Sequence, residues 1–82
     1  MRAAAAIDEA IALFERADQK VRLLQAYPHG IRVHLPLMGE RPGSVERVKE
    51  YARKAAPLLR AYARVEQAEA MEELLARLEE GE

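Results

Sequence analysis

The sequence predicts an all-α fold: a helical hairpin with two long arms that joins a second copy in a homodimeric bundle. Three observations predict it. Ala, Leu, Glu and Arg supply 48 of the 82 residues, a composition that favours long helices. Two segments carry apolar residues at alternating three- and four-residue steps, the spacing of a helix seam. A chain of this size also buries only about 60% of its unfolded surface, so a core made by one copy alone is marginal. There is no cysteine, which excludes a disulfide or a thiolate metal site as reinforcement. The whole chain is read as one helical domain, residues 1–82.

The first helix is expected over about residues 3–26. Ala3, Ile7, Ala10, Phe14, Ala17, Val21 and Leu24 form its seam. Ile11 and Leu13 widen that stripe, as a bundle helix requires. Alanine at half the seam positions lets a neighbouring helix approach closely. Pro28 lacks an N–H and biases Tyr27 away from helical geometry, which is expected to stop the helix.

Residues 27–43, YPHGIRVHLPLMGERPG, read as an extended segment. Ile31, Val33, Leu35 and Leu37 alternate with Arg32, His34, Pro36 and Met38. That period of two predicts a short strand between Gly30 and Gly39 with one apolar face. Pro36 would restrict its pairing to one edge. With the apolar face packed on the helices, Arg32 and His34 are expected to turn outward.

The second helix is expected over about residues 44–80. Ser44 suits the N-cap, Pro42-Gly43 breaks the chain before it, and Glu46 suits the positive end of the helix. Val45, Val48, Ala52, Ala55, Leu59 and Tyr62 keep their phase across Pro57, which favours one kinked helix over two separate ones. Near Arg64–Ala70 the pattern slips, and it resumes as Ala68, Met71, Leu75 and Leu78. Arms of about 24 and about 37 helical residues would span roughly 36 and 55 Å. The shorter arm cannot cover the longer one, so Met71, Leu74, Leu75 and Leu78 would face water in a monomer. A second copy would cover them. The expected interface is Phe14, Val21, Leu59, Tyr62, Met71, Leu75 and Leu78.

The net charge of −1 conceals segregation. Residues 41–64 carry seven basic and two acidic side chains, and residues 65–82 carry seven Glu and one Arg. On a helix, Lys49, Arg53, Arg60 and Arg64 fall within about 60° of one another and form a basic ridge. The ridge is a solvated face, pairs with an acidic end of another helix, or follows a phosphate backbone. Near-neutral charge, four aromatic residues and no glycine-rich loop favour the first two over the third. The candidate contacts for a partner or nucleic acid are Arg32, His34, Lys49, Arg53, Arg60 and Arg64.

The order strand, helix, helix over residues 31–62 resembles ribbon-helix-helix DNA-binding proteins in architecture. That resemblance implies paired strands in the major groove, with Arg32 and His34 as the base-reading residues.

No catalytic, metal or cofactor residues are expected. His29 and His34 lie five apart, and the nearest acid downstream is Glu40. Glu69, Glu72 and Glu73 lack the Glu-x-x-His pattern of carboxylate metal bundles. The single serine, Ser44, reads as a cap, and there is no threonine, cysteine or asparagine. The apolar run after Arg2 is broken by Asp8 after five residues, where a secretion signal needs roughly 7–15. No run approaches the ~20 residues of a membrane span. The expectation is a cytoplasmic, non-catalytic interaction or structural module that partners with itself or another protein. Arginine outnumbers lysine ten to three, which fits a GC-rich genome or a hot-growing source alike. A DNA-binding regulator is the alternative, and a cryptic enzyme or metal protein the third reading.

Overall fold

A computed structural model describes residues 2–81, with side chains described from residue 4 onward. Ala3, the first expected seam residue, lies outside the described side chains. The described residues are all-helical: α1 (Arg2–Arg16), α2 (Lys20–His34), a 3-10 turn (Leu35–Leu37), α3 (Pro42–Ala61) and α4 (Val65–Glu80). Among them no helix is long and apolar enough to cross a membrane.

The all-α class holds, but each expected arm is two helices. The first arm breaks after Arg16. Asp18 adopts a left-handed φ of 55°. The Gln19 N–H then donates to the Phe14 carbonyl at 2.9 Å, and the Asp18 N–H to the Glu15 carbonyl at 3.2 Å. These two bonds are a Schellman closure, which satisfies carbonyls left over at a helix end. The second arm breaks in the same way. Ala63 takes φ 61°, the Arg64 N–H reaches the Leu59 carbonyl at 2.8 Å, and the Ala63 N–H reaches Arg60 at 3.0 Å. The break therefore falls where the apolar pattern slips and not at Pro57. Pro57 lies inside α3 on its exposed side, where water can serve the carbonyl that the ring leaves unbonded.

Pro28 likewise lies inside α2, and the expected strand is helix. Ile31 and His34 are buried three residues apart on the face that carries Leu24 and Tyr27. Burying that helical face outweighs the alternating pattern of residues 31–37, of which Ile31 alone among the four expected aliphatics is fully buried. Among the described residues there is no strand to support the ribbon-helix-helix resemblance.

The helices pack in sequence order, α1 on α2, α2 on α3 and α3 on α4. The Cα framework is a plate of 33 × 28 × 15 Å, about two helices thick. The two hairpins are equivalent. Tyr27 donates to Glu15 across the first at 2.7 Å, and Arg60 binds Glu72 across the second at 2.6 and 2.9 Å. Glu15 corresponds to Arg60, Asp18 to Ala63 and Tyr27 to Glu72, a constant shift of 45 residues.

Tyr51, Ile11, Leu59 and Val48 are the largest fully buried side chains. They centre the core on α3, which α1 and α2 cover from one side and α4 from the other. Because the turn at 62–64 folds α4 back, Met71, Leu74, Leu75 and Leu78 pack half-buried against this core. The stripe that seemed to need a second chain is partly covered within one.

Candidate functional site

Three helices deliver polar side chains to one buried point. Asp8 comes from α1, one turn before the buried Ile11. His34 is the last residue of α2, and Ser44 lies in the first turn of α3. His34 Nε2 is 2.9 Å from Asp8 Oδ1, and Nδ1 is 2.9 Å from Ser44 Oγ. The Tyr51 hydroxyl donates to the same Asp8 oxygen, and Arg47 Nε approaches Asp8 Oδ2 at 3.6 Å. An ionised carboxylate only accepts hydrogen bonds, so Nε2 carries the proton to Asp8 and Nδ1 accepts from Ser44 in the neutral ring. Burial first, and then the bond to Asp8, push the Tyr51 phenol above its usual pKa, so it stays a donor.

The order serine, histidine, aspartate has the connectivity of a nucleophile, its base and an orienting acid. An open cleft of about 570 Å³ lies beside it, lined by Asp8, His34, Ser44 and Arg47 together with residues 40–43. Ser44 and His34 are only 3% and 4% exposed, so little of either side chain reaches the cleft. Every lone pair and proton of the imidazole is used in joining helices. The arrangement ties α1, α2 and α3 together and leaves Asp8 and Arg47 at the cleft wall.

A second polar cluster links the same three helices on the surface. Lys54 Nζ is 2.9 Å from both Glu15 Oε2 and Glu50 Oε2. Burial alone would raise the Glu15 carboxyl. The hydrogen bonds from Tyr27 and Lys54 outweigh it and hold Glu15 below its usual value.

The expected contact residues separate into three groups. His34 and Lys49 are buried and cannot form an outer contact surface, because the helical register turns them inward. Arg53 and Arg60 face the acidic α4: Arg53 lies 3.5 Å from Glu79, and Arg60 makes its two-bonded pair with Glu72. The basic ridge is thus matched by an acidic helix, as the pairing reading supposed, but within one chain. Arg32 and Arg64 behave differently. Both line one cleft of about 210 Å³ between α2 and the start of α4, with Gln25, His29 and Gln67 also on its walls.

The expected interface residues separate too. Leu59 is fully buried inside the chain and offers nothing to a partner, because α4 closes over it. Phe14 is half-buried under the Arg22 guanidinium, 5.8 Å from the ring centre. Val21 and Tyr62 are 66% and 42% exposed, and they wall one recess where the two hairpin turns meet. Val65, just past the second turn, is 46% exposed.

The class these features define is a small all-α chain of two equivalent helical hairpins around a buried polar junction. Compared with known proteins, it matches no family model, no curated protein and no solved structure.

Proposed function

We propose that this chain is a non-catalytic helical interaction module that works as a homo-oligomer, joined through the end where its hairpin turns meet. The observation that carries the reading is the exposed apolar pair Val21 and Tyr62, which line one recess. Large apolar side chains grouped at one end are what an association surface requires. The plate shape adds support. The chain exposes 5382 Å², whereas a compact 9.2 kDa protein exposes roughly 4,900 Å². The half-exposed flank of Met71, Leu75 and Leu78 offers further apolar area for the same purpose. The cytoplasm is the compartment that goes with this reading.

Sedimentation at rising concentration tests it. The wild type is expected to self-associate in the micromolar range. Val21→Glu with Tyr62→Glu should leave a folded monomer, since both side chains stand outside the core. A wild type that stays monomeric at millimolar concentration removes the reading. The nucleic-acid alternative ranks second because Arg53 and Arg60 are already matched by carboxylates.

A further inference from the structure

We infer that the cleft between α2 and the start of α4 binds a phosphate group, gripped by Arg32 and Arg64. The inference goes beyond self-association and does not depend on it. It begins with a contrast among the arginines. Each arginine within α3 and α4 holds a carboxylate: Arg47 holds Asp8 and Glu50, Arg53 Glu79, Arg60 Glu72 and Arg77 Glu73. Arg32 and Arg64, like Arg16, Arg22 and Arg41, make no such pair among the described residues, but Arg32 and Arg64 share one cleft.

The walls of that cleft carry no carboxylate. Two guanidinium groups brought together repel, and an anion between them reverses the sign of that interaction. The other polar walls point to the same ligand. Gln25 and Gln67 supply amide N–H donors, and His29 supplies a ring N–H. Leu24 and Pro28 supply its apolar lining.

Donor number and size select the ligand. One guanidinium fork satisfies the two oxygens of a carboxylate. Two forks lining one cleft, with amide and imidazole donors beside them, suit a group with three terminal oxygens. The cleft's 210 Å³ corresponds to several water volumes of about 30 Å³ each, enough for a phosphate and part of its hydration but not for a duplex. The chemistry is therefore that of inorganic phosphate or a small phosphate monoester.

The test is a titration followed by NMR of the backbone amides and the arginine side-chain N–H groups. The probes are inorganic phosphate, phenyl phosphate, acetate, and an oligothymidylate without a terminal phosphate, all at matched ionic strength. Saturable shifts at Arg32, Arg64 and Gln67 are expected with the first two. Arg32→Met and Arg64→Met keep the aliphatic stem and should each weaken phosphate binding about tenfold. Arg41→Met, at an exposed position outside the cleft, should leave it unchanged. Far-UV circular dichroism confirms that each variant is folded. Three results would overturn the assignment: no saturation with either phosphate, equal loss in Arg41→Met, or saturation by the oligothymidylate alone. Saturation by inorganic phosphate alone identifies the free ion as the ligand. Saturation by phenyl phosphate at lower concentration identifies a monoester.

Discussion

A β-carbon on Gly30 would stand 2.9 Å from Tyr51 Cε2, and it would lie equally close to Ile11 Cδ1. At Gly30, α2 therefore lies directly against side chains of both α1 and α3. The flat of the Tyr51 ring occupies the space that a side chain on α2 would need, and its hydroxyl continues to Asp8.

This relationship reverses an ordinary rule. Replacing a glycine within a helix by alanine usually stabilises by about 1 kcal/mol. Here the new methyl meets Ile11 and Tyr51, both fully buried and without room to move. Gly30→Ala is expected to destabilise by about 1–3 kcal/mol, as overpacking does. Urea denaturation measures it, with Gly43→Ala as control. Gly43 has nothing within 4 Å of its absent β-carbon and should tolerate the change.

The buried junction should behave as a unit. His34→Ala leaves Asp8 and Ser44 each short of a partner, and each such loss costs about 1–3 kcal/mol. Ser44→Ala removes one bond and should cost less. The double variant His34→Ala with Ser44→Ala should be less destabilised than the sum of the two single changes. A strictly additive cycle would show that the bonds act separately.

The left-handed residue at the second turn gives a prediction of the opposite sign. Ala63 holds φ 61°, which costs an alanine about 1–2 kcal/mol and a glycine almost nothing. Ala63→Gly is expected to stabilise by about 1 kcal/mol, or raise the midpoint by roughly 4–8 °C for a chain of this size. Thermal melting followed by circular dichroism reads it. A lowered midpoint would show that the closure is not strained.

Acid should weaken the fold through Glu15. Its carboxyl is held below the ordinary value of 4.5, chiefly by the bonds from Tyr27 and Lys54 that overcome burial. A carboxyl with a lowered folded-state pKa contributes stability above its unfolded value, and loses that contribution as pH falls through the folded value. Stability should therefore decline as pH drops from just above 4.5. Glu15→Gln should flatten this part of the curve while leaving the decline due to other carboxylates. An unchanged slope in the variant would remove Glu15 from the account.

The sequence made parts of this structure legible and concealed others for physical reasons. Helical periodicity is visible wherever a stripe faces one neighbour, as in Val48, Ala52, Ala55 and Leu59. The slip near Arg64 marks a turn because the α4 stripe has its own phase. The turns themselves were hidden. Asp18 and Ala63 are not the glycines that usually mark such closures, and a left-handed alanine carries no signal. Pro28 pointed to a break that packing overrides, whereas the apolar stripe unbroken across Pro57 matched a helix that continues through it. The junction of Asp8, His34, Ser44 and Tyr51 was out of reach because its members lie 10 to 43 residues apart. Its one trace is a polar residue standing within an apolar stripe, Asp8 beside Ile7 and His34 three beyond Ile31. The charge segregation was legible, but its partner was taken for another chain because α3 and α4 were read as one helix.

The order in which the helices meet also shapes how the chain reaches this state. Backbone packing between helices joins neighbours in sequence, so most of the search stays local, while the Asp8–Tyr51 and Glu15–Lys54 bonds tie α1 to α3. Chains with that property fold in microseconds to milliseconds. Among the described helices, α4 packs on α3 alone. The α1–α2–α3 junction therefore does not depend on α4 for its own contacts, and α4 can add to a surface that the other three helices form without it.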